Sequence, residues 1–280
     1  MTTGTAHTLT TQGLTVGYGG EPVIRDLDLE LPTRGITMLV GANGCGKSTL
    51  LRTLARLQRP QAGTVLLDGR PIDRRAPREV ARIIGLLPQA PIAPDGITVG
   101  ELADRGRTPH RGWFGRRSTR DDEVVADALL VTGMTEFVDR PVDELSGGQR
   151  QRAWVAMALA QEPDILLLDE PTTYLDLAHQ VELLELLVRL TLDRGTQVVV
   201  VIHELNLATR YADHLIAMKS GRIVAQGRPG DIVTPELVRA VFGLNAVVIP
   251  DPISNGPLIV PGRAANAPST TAVPEALGGR

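Results

Sequence analysis

The sequence predicts an α/β fold built on a mostly parallel sheet, with an antiparallel β subdomain near the N-terminus and an α-helical subdomain inserted in the middle. Three observations carry this reading. "DILLLDE" and "TQVVVVIHE" are near-continuous apolar runs separated by the helix-patterned "HQVELLELLVRLTLDRG". Strand, helix, strand with strands apolar on both faces is the pattern of a parallel sheet. "LTVGYGG" and "VIRDLDLELP" instead alternate apolar and polar residues, as antiparallel strands do. Residues 90–145 differ from both and read as helices joined by turns.

Taken in order, "GITMLV" is a short apolar strand running into a glycine-rich loop. "STLLRTLARL" follows with helical spacing, and "GTVLLDG" is another short strand. In the insert, "QAPIAPDGITVGELADRG" and "EVVADALLVTG" are predicted helices. Between them, "RGRTPHRGWFGRRSTR" carries six arginines from Arg105 to Arg120. "SGGQRQRAWVAMALAQ" is a helix opening after two glycines, and "DHLIAMKSGRIVAQG" is a hairpin turning at "KSG". One domain is expected over residues 8–262, with the helical subdomain at about 90–150 inside it. The segment 263–280, rich in Ala, Pro, Gly and Thr, is expected to be a disordered tail.

Composition narrows the classes. Aromatics are 3% of 280 residues, so the core must be built from Leu, Val, Ile and Ala. A net charge of −3 gives no global argument for nucleic acid. Cys45 stands alone, which excludes an internal disulfide and suits a reducing compartment. "MTTGTAHTLTTQ" has neither the basic start nor the apolar stretch of a secretory signal. No apolar run approaches the roughly 18 residues that span a bilayer.

The loop "GANGCGKS" has the spacing of a phosphate-binding loop: Gly, four residues, Gly, Lys, Ser, between a strand and a helix. This predicts a P-loop NTPase core. Glycines let successive backbone N–H groups converge on phosphate oxygens, and the helix N-terminus adds its positive end. Gly41, Ala42, Asn43, Gly44, Cys45, Gly46, Lys47, Ser48 and Thr49 are the candidate ATP-binding residues. Lys47 is expected to reach the β- and γ-phosphates and Ser48 to offer its hydroxyl to Mg²⁺. Cys45 is either a small residue tolerated where the backbone makes the contacts or a redox-sensitive thiol. "ILLLDEPT" supplies the other half, with Asp169 and Glu170 emerging at the C-terminal end of a buried strand. Asp169 is the candidate for Mg²⁺ and Glu170 for the base that accepts a proton from attacking water.

"LSGGQRQR" resembles the signature sequence of ATP-binding-cassette ATPases, and the family's other elements follow in the family's order from about Leu9 to Pro261. The resemblance implies an adenine-stacking role for Tyr18 in "VGYGG", which otherwise reads as a strand aromatic. It implies that Gln89 in "LLPQ" couples nucleotide to transporter and joins Ser48 and Asp169 around Mg²⁺. Asp176 in "YLD" matches the loop that crosses the dimer interface. His203 in "VVVIHE" matches the histidine that contacts the γ-phosphate, although an apolar strand could equally end in a buried, satisfied histidine. Leu145, Ser146, Gly147, Gly148 and Gln149 match the signature that contacts ATP held by a partner. A physical reading agrees, because "SGGQ" makes a second anion-binding helix start in one chain. Three positions depart from the family: Glu204 stands where Asp is usual, Ala42 where Pro is common, and Cys45 where Ser or Gly is common.

A single cassette with no membrane span implies separate transmembrane permease subunits. It further implies a paired cassette or homodimer, an extracytoplasmic substrate-binding protein acting indirectly, and a peripheral position on the cytoplasmic face of the inner membrane. "GITVGELADRGRTPH", "TTYLDLAHQVELLELL" and "DPISNGPLIVPG" resemble the ATPases that energise uptake of ferric siderophores, haem or cobalamin. The expectation is therefore an ATPase for ferric-siderophore import. Import of haem, cobalamin or a metal ion is one alternative, and a non-transport cassette protein binding nucleic acid or the ribosome is another. The arginine run reads as a solvated face, a docking surface or a phosphate-backbone contact.

Overall fold

The computed structural model describes residues 6–112, 117–173 and 175–262. The expected tail at 263–280 and Arg116 of the arginine run lie outside the described residues. The chain opens with β1 (Leu9–Val16), β2 (Ile24–Glu30), β3 (Ile36–Gly41), α1 (Lys47–Leu54), β4 (Ala62–Leu67) and the short β5 (Arg70–Pro71). α2 (Pro77–Ile83) leads into β6 (Ile84–Leu87), and the insert holds α3 (Val99–Arg105), α4 (Thr119–Val131) and α5 (Gly147–Ala160). The core resumes with β7 (Ile165–Asp169), α6 (Leu177–Arg194), β8 (Gln197–Val201), α7 (Leu205–Tyr211), β9 (His214–Lys219) and β10 (Arg222–Gly227). α8 (Pro229–Ile232), α9 (Pro235–Phe242), β11 (Ala246–Pro250) and β12 (Pro257–Pro261) complete it.

Two sheets make the frame. One has the order β10-β9-β3-β8-β7-β6, parallel throughout except for the β9–β10 hairpin at its edge. The other, β2-β1-β4-β5, is antiparallel. Every residue of β3, β7 and β8 is buried, so these strands carry a core on each face. Leu39, Leu167, Val199 and Ile216 pack toward α1 and the antiparallel sheet. Met38, Leu168, Val200 and Leu215 pack toward α5, α6 and the inserted helices. Among the described residues no helix is long and apolar enough to cross a membrane.

The structure corrects several local expectations. β1 runs over Leu9–Val16, so it starts before "LTVGYGG" and ends before Tyr18, which lies in the turn beyond it. "QAPIAPDGITVGELADRG" is helical only from Val99. Pro91 and Pro94 lack the N–H a helix interior needs, and the helix begins where Thr98 and Glu101 close a capping box. α6 starts two residues earlier than "HQVELLELL", because Asp176 caps it.

The arginine run is the largest correction. Arg107 is only 3% exposed. Its Nε donates to Asp121 Oδ1 at 2.9 Å, and its Nη1 donates to Ala160 O at 2.7 Å and Glu162 Oε2 at 2.9 Å. Arg111 pairs with Asp104, Arg117 with Asp122, and Arg120 with Glu162. Four of the six arginines thus pair with carboxylates of this chain, and Arg107 and Arg120 fasten α4 to the end of α5. Arg107 and Arg111 are thereby withdrawn from any basic face, while Arg117 and Arg120 stay more than half exposed within their ion pairs, as a solvated face would be.

This network gives a pH-dependent expectation. The Arg107 guanidinium, with Ser118, holds the Asp121 carboxyl well below the usual carboxylate range, outweighing the opposing effect of burial. A depressed folded-state value means the stabilisation is complete above the unfolded value near 3.8 and disappears as pH falls through the folded one. Asp121→Asn leaves the buried Arg107 with Glu162 as its one carboxylate partner and should destabilise the chain by about 3 kcal/mol at pH 7. The gap from wild type in urea unfolding should persist down to about pH 4 and shrink below it.

Candidate active site

Four neighbouring strands bring the predicted residues to one edge. The loop after β3, Gln89 after β6, Asp169 and Glu170 at the end of β7, and His203 after β8 all lie at the C-terminal ends of parallel strands. There Gln89, Glu170 and His203 line a cleft of about 390 Å³ with Tyr18, Val23 and residues 43–49, while Asp169 is buried.

The loop is shaped by contacts that its sequence permits. Gly41 has φ +154°, and a Cβ there would lie 2.3 Å from Met218 O and 2.8 Å from Cys45 Sγ, so only glycine fits. Lys47 is buried, and its Nζ donates to Gly41 O at 2.8 Å and Ala42 O at 3.2 Å. Its third contact is a long one, to Cys45 Sγ at 3.9 Å, so the ammonium sits inside the loop. Gly221 N, in the β9–β10 turn, donates to Cys45 O at 2.9 Å. A Cβ on Gly221 would lie 1.9 Å from Val23 O, so that turn presses directly on the base of the loop. Cys45 is itself buried, among apolar residues of β1, β2 and α1. It fits the reading as a small packing residue, not that of an exposed redox thiol. Ala42 and Cys45, two of the departures from the family, act here through their carbonyls.

The adjacent carboxylates face different partners. Ser48 Oγ donates to Asp169 Oδ1 at 2.7 Å, while Arg52 Nε stands 4.0 Å from Asp169 Oδ2. Ser48 and Arg52 are four residues apart, on one face of α1. Sequence reasoning missed Arg52, although that spacing was a signal for it. Burial pushes the Asp169 carboxyl up, and the Ser48 bond opposes this. Oδ2 is buried with no hydrogen-bond partner. A hydroxyl beside an unpartnered buried carboxylate oxygen is an all-oxygen donor set suited to a hard divalent cation. Glu170 turns away at φ +54°, a left-handed conformation rare for a non-glycine residue. Its Oε2 accepts from Gln89 Nε2 at 2.5 Å, and its Oε1 lies 2.6 Å from His203 Nε2. His203 is exposed, which excludes the buried, satisfied histidine. Glu204 keeps a carboxylate role by accepting from Thr172 Oγ1 at 3.3 Å.

Tyr18 is 60% exposed at the cleft mouth, with its hydroxyl 3.1 Å from Thr49 Oγ1. The ring is thus free to offer a face to a planar group, and the strand-aromatic reading does not hold. Residues 145–149 are elsewhere: none of them lines the cleft. Ser146 caps α5, with Gln149 completing a capping box, and Ser146 and Gly147 are exposed while Leu145 is buried. The chain therefore presents two separate anion-compatible ends. Asp176 is bound to His179, a residue that sequence reasoning left unassigned.

Comparison with known proteins identifies the family. The family model described as "ABC transporter" matches residues 24–173. The chain belongs to the ABC transporter family. It is an ATPase of the cassette type. The ferric enterobactin transport ATP-binding protein FepC of Escherichia coli (strain K12) is 54% identical over 258 residues, covering 92% of this chain and 94% of that protein. A metal-chelate type ABC transporter solved in an inward-facing conformation is 30% identical with a TM-score of 0.78, covering 92% of this chain and 98% of that one. The cassette MJ0796, a bacterial ABC transporter cassette solved as a dimer, is 27% identical with a TM-score of 0.70, covering 79% of this chain and 98% of its own. These solved cassettes share the α/β core, antiparallel subdomain and helical insert described above.

Gly41→Ala tests the loop geometry. The added methyl must displace Met218 O or the Cys45 thiol, at a cost of about 2–4 kcal/mol. Calorimetry should show a lower unfolding temperature, and titration with a fluorescent nucleotide should show affinity reduced by about tenfold or more.

Proposed function

We propose that this ABC ATPase energises a membrane importer of ferric siderophores, coupling ATP binding and hydrolysis to uptake. The observation that carries the reading is the 54% identity along 92% of the chain to a ferric enterobactin transport ATP-binding protein. The likeness to a metal-chelate transporter supports the same cargo class. The chain works as the unit 8–262, peripheral to the cytoplasmic face of the inner membrane. It pairs with a second cassette and with transmembrane permease subunits, and a substrate-binding protein delivers cargo on the far side.

Within the site, residues 41–49 cradle the phosphates through backbone N–H groups, and Lys47 exchanges its loop carbonyls for β- and γ-phosphate oxygens. Tyr18 stacks on adenine. Ser48, Gln89 and Asp169 would hold Mg²⁺, which when bound neutralises charge on the phosphates. Glu170 accepts the proton of the attacking water. Its carboxylate is engaged by Gln89 and His203, so γ-phosphate must reorganise both contacts before Glu170 can take that proton. Gln89 thereby links nucleotide to the insert, since the chain from Gln89 runs straight into the segment 94–101. That segment lines a cleft of about 620 Å³ against α3 and α4. His203 touches the γ-phosphate from β8. Ser146, Gly147 and Gly148, with Leu145 and Gln149 shaping the turn, face ATP held on the partner, and Asp176 lies at the same boundary. The dimeric cassette of similar fold supports this arrangement.

The test separates the two carboxylates. Glu170→Gln should retain Mg-ATP, lose hydrolysis by roughly 10² or more, and accumulate closed dimers in size-exclusion chromatography. Asp169→Asn should instead weaken the Mg-ATP complex itself. In cells lacking the endogenous subunit, the wild-type chain should restore uptake of radiolabelled ferric siderophore and Glu170→Gln should not. Restored ATPase activity without any gain in siderophore uptake would reject the cargo while leaving the enzyme intact.

A further inference from the structure

Two elements assigned above to the dimer boundary touch the same side chain within one chain. His179 stands in the first turn of α6, and its backbone N–H donates to Asp176 Oδ1 at 3.0 Å, which already caps the helix. Its ring Nδ1 lies 2.7 Å from the same oxygen. A carboxylate only accepts, so Nδ1 carries the hydrogen and donates. Together these two bonds hold the Asp176 carboxyl below its ordinary value. The opposite edge of the ring faces α5. A Cβ built on Gly148 would lie 2.8 Å from His179 Cδ2 and 3.3 Å from Nε2. The imidazole thus occupies the space a side chain at 148 would need. Leu175 and Leu183 wall the space around it, and Arg152 and Glu182 close it with an ion pair at 3.0 Å.

The cap of α6 does not need the ring, because the backbone bond satisfies it. What the ring adds is a rigid spacer between the Asp176 loop and the start of α5. We infer that His179 is a positioning residue that fixes the Asp176 loop to the Gly147–Gly148 helix start, so that both meet the partner cassette as one preformed surface. This rests on the head-to-tail reading of the dimer. Without the spacer, each element must be ordered separately when two cassettes close, and that ordering entropy opposes association.

The experiment measures Mg-ATP-dependent dimerisation by sedimentation across protein concentrations, in the Glu170→Gln background. His179→Ala should weaken the dimer by about tenfold, a change of about 1.4 kcal/mol. His179→Asn, which keeps a donor near the Nδ1 position but has no ring edge to meet Gly148, should recover little of it. Titration of dilute single cassettes with a fluorescent ATP analogue should show both variants within about twofold of the parent, which a general loss of structure would not allow. Dimerisation of His179→Ala at the parent's strength, full recovery with Asn, or an equal loss of nucleotide affinity would each overturn the inference. Ser146→Arg separates it from the reading beneath it. If Ser146→Arg abolishes the dimer and His179→Ala does not, only the positioning role fails. A parent that forms no Mg-ATP dimer, or a dimer that survives Ser146→Arg, refutes the head-to-tail reading and this inference with it.

Discussion

Strands β3, β8 and β7 are covered on both faces and satisfy their backbone groups with neighbouring strands, β6 and β9 at either side, in parallel and in register. That constraint fixes where each strand ends. Leu39 aligns with Val201, Val201 with Asp169, and Leu168 with Leu87. The residues that follow these positions are the phosphate loop, His203, Glu170 and Gln89. Chemistry drawn from four distant parts of the chain is held at one edge by hydrogen bonds deep in the sheet. Side-chain contacts then refine it, but none of them has to create it.

Electrostatics divides the molecule into two regimes. In the insert, buried charge is matched, as at Arg107 with Asp121 and Glu162. At the cleft, pairing is looser: Asp169 Oδ2 is buried with no hydrogen bond and Arg52 4.0 Å away, and Lys47 leans on loop carbonyls. Buried charge without a matched partner is costly in a structural region. At a site that receives a polyanion and a cation together, the same mismatch favours the ligand over the empty state.

Much of the site was legible because its determinants are local. The spacing of Gly41, Lys47 and Ser48 dictates a loop geometry by itself, and an apolar run ending in Asp169–Glu170 states its own burial and its own edge. What stayed hidden depends on residues far apart in sequence. Nothing near Arg107 announces Glu162, and nothing near Gly148 announces the ring of His179. The segment before Val99 was misread as helix because apolar residues at suitable spacing outweighed Pro91 and Pro94, which remove the donors a helix requires. The β11–β12 hairpin escaped for a different reason. Its two strands pair only with each other, and outer residues such as Val247 and Val260 are exposed and apolar, so it lacks the polar face that marks a half-buried strand.

The hairpin turn at Ser220–Gly221 belongs to the edge of the large sheet, far along the chain from the phosphate loop. On a topology diagram it is the sort of corner that an engineer would choose for an epitope tag or a fluorophore. Yet Gly221 donates to Cys45 O and has no room for a single carbon beside Val23. An insertion there would pry open the floor of the ATP cradle from behind. A corner that looks permissive on the diagram is therefore a remote handle on nucleotide affinity.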